Sequence, residues 1–287
     1  MGELIYGTSS WSEKSWVGSF YPDGMAPAAF LTHYATRFQA VEADTTYYGI
    51  PRASMVEGWV RKTPPGFRLA AKFPRSIVHA GEGARPDPDV LLVPEKVASK
   101  TEEFLAAMRL LGDRCGPLVL QFPYFNRSVF PQAGPFLERL DAYLATLPDD
   151  FRYAVEVRNR WWIKPPLLEI LRRRRAALVL VELGYMPHPA ELAARLDLVT
   201  TDFVYARLIG DRKVVDEKTK TFDKIVVDMS PSLHLWANLL RDMHELVPKV
   251  YVFANNHYAG HGPATISELA GLVLDADPAS PDQPSST

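Results

Sequence analysis

Glu42, Lys72, Gln121, Glu156, Arg158, Arg207, Asn255 and Asn256 share one habit: each follows closely on a short run of apolar residues. Ser9, Ser10, Asp44 and Glu182 do the same. Carboxylates can move protons once burial and neighbours tune them. Arginine offers a fork that matches carboxylate or phosphate with two hydrogen bonds. Such a set could hold a small anion through Lys72, Arg158 and Arg207 while Glu42 or Glu156 moves a proton and Gln121 and Asn255 orient hydroxyls. Period-two alternation puts Glu42 with Asp44, Glu156 with Arg158, and Tyr205 with Arg207 on common strand faces. The same charges could instead pair with one another, Glu156 with Arg158 and Lys72 with Glu42, as struts at strand ends.

These residues converge only if the elements beneath them line up. Runs rich in Val, Ile, Leu, Tyr and Phe at residues 4–9, 40–44, 68–73, 117–122, 152–158, 177–183, 203–209 and 250–255 predict eight strands. Helical spacing appears between them. Phe104, Leu105, Met108 and Leu111 form one stripe, Phe136, Leu137, Leu140 and Leu144 a second, and Leu235, Leu239, Met243 and Leu246 a third. Alternating strands and helices in a chain of 287 residues, with no Pro/Gly/Ser-rich linker, predict an α/β fold: a single TIM-type (β/α)8 barrel over residues 1–275. In that fold, polar strand ends meet at one mouth. The prolines punctuate the same plan. Pro27, Pro94, Pro131, Pro165 and Pro231 stand before or within the first turns of helices, and none is expected inside a strand. The loop at residues 81–88 is expected to be a mobile rim, and residues 276–287 a disordered C-terminal tail.

The totals exclude several classes. Thirty-two basic against 34 acidic residues leave a net charge of −2, so no bulk field favours nucleic acid. The four arginines at residues 172–175 fall at a helix C-terminus, where cations suit the dipole. A single cysteine, Cys115, excludes an intramolecular disulfide and a multi-thiolate zinc site, and reads as a small buried hydrophobe. No signal peptide is visible, Tyr6 stands where myristoylation needs Ser or Thr, and the longest apolar runs cannot span a bilayer. A cytoplasmic setting without membrane contact is expected.

Aromatic residues crowd the same loops. Tyr48 and Trp161 are candidates to stack on a ligand, and His79 lies after the third strand. The expected catalytic residues are Glu42, Glu156 and Lys72. The expected binding residues are Arg158, Arg207, Gln121, Asn255, Asn256, Tyr48, Trp161 and His79, with no cofactor. A divalent ion held by His79, Glu42, Glu156 and Glu182 is the alternative, opposed by the cations around it. His257 and His261 would share a metal only on one helix face, and Gly260 with Gly262 favours a loop. A retaining glycosidase would have to use Glu42 with Glu156. Imine chemistry would need Lys72 buried beside another cation. A non-catalytic ligand-binding or nucleic-acid-binding protein is the rival class.

Ordered motifs run through the chain. Gly7-Thr8-Ser9-Ser10-Trp11, Phe20-Tyr21-Pro22 and Val41-Glu42-Ala43-Asp44-Thr45-Thr46-Tyr47-Tyr48 open the series. Trp59 with Thr63-Pro64, Lys72, His79, Gln121-Phe122-Pro123, and Val155-Glu156-Val157-Arg158 before Trp161-Trp162 continue it. Tyr205-Ala206-Arg207-Leu208 with Gly210, and Phe253-Ala254-Asn255-Asn256, close it. The set resembles the YecE-like family, domain of unknown function 72, over about residues 4–275. The resemblance implies a TIM-barrel-like fold and no particular activity. Glu182 departs from it, since the family more often has Asp there.

Overall fold

The computed structural model describes residues 2–80 and 85–274. Eight strands form a closed, wholly parallel barrel in sequence order. They are β1 (Glu3–Thr8), β2 (Ala40–Ala43), β3 (Arg68–Lys72), β4 (Cys115–Gln121), β5 (Tyr153–Glu156), β6 (Ala176–Leu183), β7 (Phe203–Gly210) and β8 (Lys249–Ala254). Each expected strand has its counterpart. The expected tail lies outside the described residues, as does part of the loop at residues 81–88.

Alternation along the strands sorts two apolar layers. Ile5, Ala40, Ala70, Val119, Ala154 and Tyr251 fill the barrel lumen. Their neighbours, among them Val41, Leu69, Leu118 and Val155, face the surrounding helices. The first two predicted stripes are buried, in helices Pro94–Arg109 and Ala133–Leu144 and the turn after the former. A buried leucine- or phenylalanine-sized side chain contributes about 1.5–3 kcal/mol, so these faces hold the helices to the barrel.

The third stripe is half met. Helix Ser230–Leu246 buries Leu239 and Met243 of the stripe together with Leu233, Trp236 and Leu240, whereas Leu235 and Leu246 are exposed. The Trp236 ring carries the larger apolar area, and its Nε1–H finds Glu182 beneath the helix, so the face follows the tryptophan. The prolines also need one correction. Pro117 lies inside β4, where the pairing with β3 slips between Leu69 and Ala71. A bulge is where a strand can accommodate the missing N–H.

Two local devices set the mouth. Gly7 lets β1 approach β2 so closely that a Cβ there would meet the Ala40 carbonyl oxygen at 1.8 Å. The Tyr34 hydroxyl accepts from Thr8 N at 2.7 Å and lies 3.1 Å from the Ala40 oxygen, bridging the same two strands. The Thr46 hydroxyl accepts from Lys72 N at 2.9 Å and so ties the loop after β2 to the end of β3.

Candidate active site at the barrel mouth

The lumen turns polar in its last layer. Glu42, Lys72, Gln121, Glu156 and Arg207 continue the lumen-facing positions of β2, β3, β4, β5 and β7. Arg207 is the hub: Nη2 donates to Glu42 Oε1 at 2.7 Å, and Nη1 donates to Gln121 Oε1 at 2.9 Å and to Glu156 Oε2. Its buried Nε has no partner among the described residues. Tyr205, one pleat below, donates to Glu42 Oε2 at 2.7 Å. Lys72 Nζ lies 3.4 Å from Glu42 Oε1, and Arg158 Nε donates to Glu156 Oε1 at 2.8 Å. The pairings foreseen as struts are therefore present, organised around an arginine that is only 2% exposed.

Burial and charge divide the ionisable groups. Burial alone would raise the Glu156 carboxyl, but Arg207 and Arg158 outweigh it and hold the pKa down at about 2. Glu42 follows the same logic: burial is overcome by Arg207, Lys72 and the Tyr205 hydrogen bond, and its pKa is lowered. Asp44 goes the other way, raised by burial and by Glu42 against the pull of Lys72. The Lys72 amine is lowered by burial and by the Arg207 charge, against Glu42 and Asp44. Two carboxylates are thus locked in the charged form, while one carboxyl and one amine are pushed toward neutrality.

Beside this network a cavity of about 210 Å³ opens between the loops after β1, β2 and β8, lined by Ser9, Ser10, Asp44, Asn255, Asn256 and His257 among others. The Ser9 hydroxyl is buried there without a hydrogen-bond partner among the described residues. Asn255 Oδ1 caps the turn Asn256–Ala259 by accepting from His257 N at 2.9 Å. Asn256 Oδ1 accepts from Trp16 Nε1 at 3.2 Å and Gly262 N at 2.9 Å. Neither amide nitrogen forms a hydrogen bond among the described residues.

Other expected residues sit farther out. Tyr48 is 82% and Trp161 69% exposed, on the loops after β2 and β5. His79 is buried just after the short helix Arg75–Val78. Glu182 does not join the mouth. It shares the outward face of β6 with Leu178 and Leu180, and accepts from Ser232, Trp236 and Tyr258 in the helix layer. The divalent-ion constellation is therefore not assembled, and among the described residues no three His, Cys, Asp or Glu side chains group to hold a metal. His257 lies in the turn Asn256–Ala259, whereas His261 follows Gly260, whose φ of 110° ends that turn. Burial pushes the Cys115 thiol up to about 12. The arginines at the end of helix Pro165–Arg173 pair with carboxylates, Arg172 with Asp197 and both Arg173 and Arg174 with Asp141.

The model of the family described as Protein of unknown function DUF72 matches residues 5–286. The chain belongs to the DUF72 family. UPF0759 protein YecE of Escherichia coli (strain K12) is 33% identical over 158 residues, 54% of this chain and 49% of that protein. UPF0759 protein YunF of Bacillus subtilis (strain 168) is 28% identical over 173 residues, 58% of this chain and 55% of that protein. The aligned part thus spans about half the length of these curated relatives. Two solved DUF72 family proteins share the fold. One, from Thermotoga maritima MSB8, has a TM-score of 0.64 at 24% identity, covering 94% of this chain and 98% of its own. The other, from Enterococcus faecalis V583, has a TM-score of 0.65 at 20% identity, covering 98% and 99%.

In this DUF72 chain, three further residues join the network or its cavity: Asp44, Ser9 and Tyr205. Asp44 and Ser9 stood among the strand ends but not among the chosen site residues. The signal for Asp44 was its period-two relation to Glu42, which the structure turns into electrostatic contact at the start of the helical turn Asp44–Tyr47. Tyr205 was placed on the Arg207 face, where it proves to bind Glu42. Among the described residues, no helix is long and apolar enough to cross a membrane.

Proposed function

We propose that the chain is an enzyme performing metal-independent acid–base or hydrolytic chemistry on a small anionic, sugar-like compound at the C-terminal mouth of the barrel, in the cytoplasm. The observation that carries this reading is geometric: Asp44 lines a polar cavity, and buried Lys72 lies 3.4 Å from Glu42 in the adjoining network, with burial pushing the Asp44 carboxyl up and burial and Arg207 pushing the Lys72 amine down. General acids and bases work best when their pKa values approach the operating pH, and here a neighbouring carboxyl and amine are both moved that way. Glu42 and Glu156, held ionised, are poor proton carriers at neutral pH. Their part is to fix Arg207 and to supply negative potential around Lys72. Among the described residues Arg158 spends only Nε, on Glu156, which leaves its outer nitrogens to grip an anion. The amides of Asn255 and Asn256 and the orphaned Ser9 hydroxyl suit a ligand rich in hydroxyls.

The test is a panel of sugar phosphates and sugar acids, followed by NMR for conversion with the intact protein, D44N and K72M. Conversion by the intact protein that drops about 100-fold or more in each variant is expected. Absence of conversion across the panel, or conversion that survives both substitutions, contradicts the reading. The buried amine beside Arg207 also meets the condition for imine formation. Borohydride added to the same reactions separates the two roles, since a covalent adduct on Lys72 makes it a nucleophile.

A further inference from the structure

Glu182 leads to a second cavity. About 310 Å³ of space lies past the ends of β6 and β7, bounded by the helix Arg212–Lys218 and the segment that enters helix Ser230–Leu246. Its apolar wall includes Leu183, Met186, Val214 and Val227. Its charged lining is of one sign: Glu182, Glu191 and Asp211 contribute, and no lysine or arginine does.

Glu182 is already well supplied. Its Oε2 accepts from Trp236 Nε1 at 2.6 Å and Tyr258 OH at 2.9 Å, and the Ser232 hydroxyl lies within 2.9 Å of both its oxygens. Glu191 and Asp211 stand at the solvent edge, where Asp211 also caps the helix Arg212–Lys218 by accepting from Lys213 N. His188 supplies the independent observation. Its Nδ1 accepts from Ala190 N at 3.1 Å, which assigns the proton of the neutral ring to Nε2. That Nε2 is buried and has no hydrogen-bond partner among the described residues. The nearest carboxylate oxygen, Glu182 Oε2, is 3.6 Å away, beyond hydrogen-bond reach. The side chain is nine-tenths removed from solvent, with 10% exposed. Burial also lowers its pKa despite Glu182 and Glu191, which favours the neutral ring. A buried donor left unpaired is costly, and a ligand oxygen would relieve it.

We propose that this cavity is a second binding site, separate from the mouth, for a small apolar amine that also carries a hydrogen-bond acceptor. The apolar body packs on Leu183, Met186 and Val214. The ammonium group meets the acidic edge formed by Glu191 and Asp211. The acceptor oxygen takes the His188 Nε2–H. An anion of the same shape is refused, because no cation lines the cavity to receive it.

Two probes share a ring and a hydroxyl and differ in charge: 2-amino-1-phenylethanol and mandelate. Each is titrated into the full chain with methyl-labelled valines. The amine is expected to shift the Val214 and Val227 methyls at millimolar concentration, and mandelate to leave them unmoved. V214W, which fills the cavity from its edge, is expected to abolish the response. H188F is expected to weaken binding about fivefold, the worth of roughly one hydrogen bond. Should H188F fail to fold, the double variant E191Q/D211N carries the same decision, with about tenfold weaker amine binding expected from the lost charges and the Asp211 cap retained. Equal binding of mandelate, no valine response to the amine, or a response that persists in V214W overturns the proposal. None of these substitutions touches Asp44 or Lys72, so failure here leaves the mouth reading intact.

Discussion

Arg207 and Glu42 lie 165 residues apart in the chain and meet at 2.7 Å, both withdrawn from solvent. The contact crosses the lumen from β7 to β2, and the same guanidinium reaches Gln121 on β4 and Glu156 on β5. Where a barrel usually stacks branched apolar side chains, this one closes its last layer with a charged lock. Burying such charges is expensive unless each is paired, and here Arg207, Glu42 and Glu156 pair with one another.

Removal of the hub should be severe. R207M leaves Glu42 and Glu156 buried without their shared cation, and a loss of about 3–5 kcal/mol is expected from urea unfolding. Converting the carboxylates as well, in E42Q/E156Q/R207M, should recover part of that loss, since neither buried carboxylate is then left without its arginine, while Lys72 and Arg158 lose their partners. A cost for R207M below about 1 kcal/mol, the range of a surface pair, would contradict the buried lock.

Acid should unlock the barrel in a defined window. The Glu156 pKa is depressed from 4.5 to about 2 in the folded chain, so the folded state binds its proton more weakly than the unfolded state does. Its stabilising contribution is complete above about 4.5 and declines as pH falls toward 2. Glu42 acts with the same sign. Asp44, raised, acts with the opposite sign and loses its contribution as pH rises through its folded pKa. Unfolding free energy followed across acid pH should therefore fall steeply for the intact protein and less steeply for E156Q. Identical slopes would remove Glu156 from the acid response.

Much of this arrangement was legible because polar residues interrupt apolar runs at strand ends. Lys72, Glu156 and Arg207 announce a mouth once the eight runs are read as a barrel. The face of Glu182 was not legible, because residues 176–181 of β6 are continuously apolar and buried, and such a strand carries no alternation to tell inside from outside. Leu235 and Leu246 misled for a related reason: they fit helical spacing, but Trp236 decides which face packs. Pro117 was hidden by a bulge, which the pairing of two distant strands creates and no local pattern records. Asp44 needed the three-dimensional neighbourhood of Lys72 and Glu42 before its shifted acidity could be seen.

Glu182 should matter for stability rather than for chemistry at the mouth. E182A leaves the donors of Ser232, Trp236 and Tyr258 without their acceptor beneath helix Ser230–Leu246. A cost of about 3 kcal/mol is expected, with a change in tryptophan fluorescence from Trp236. E182Q retains one carbonyl acceptor and should cost less. Stability unchanged in E182A would show that these contacts do not anchor the helix.

The opposed shifts of Asp44 and Lys72 can be read directly by carbon-detected NMR titration of the Asp44 carboxyl and the Lys72 ε-carbon. The expected result is a midpoint above 3.8 for Asp44 and below 10.5 for Lys72, with Asp44 rising further in K72M once the neighbouring positive charge is gone. Ordinary midpoints for both groups, with Asp44 indifferent to K72M, would contradict an acid–base pair at the barrel mouth.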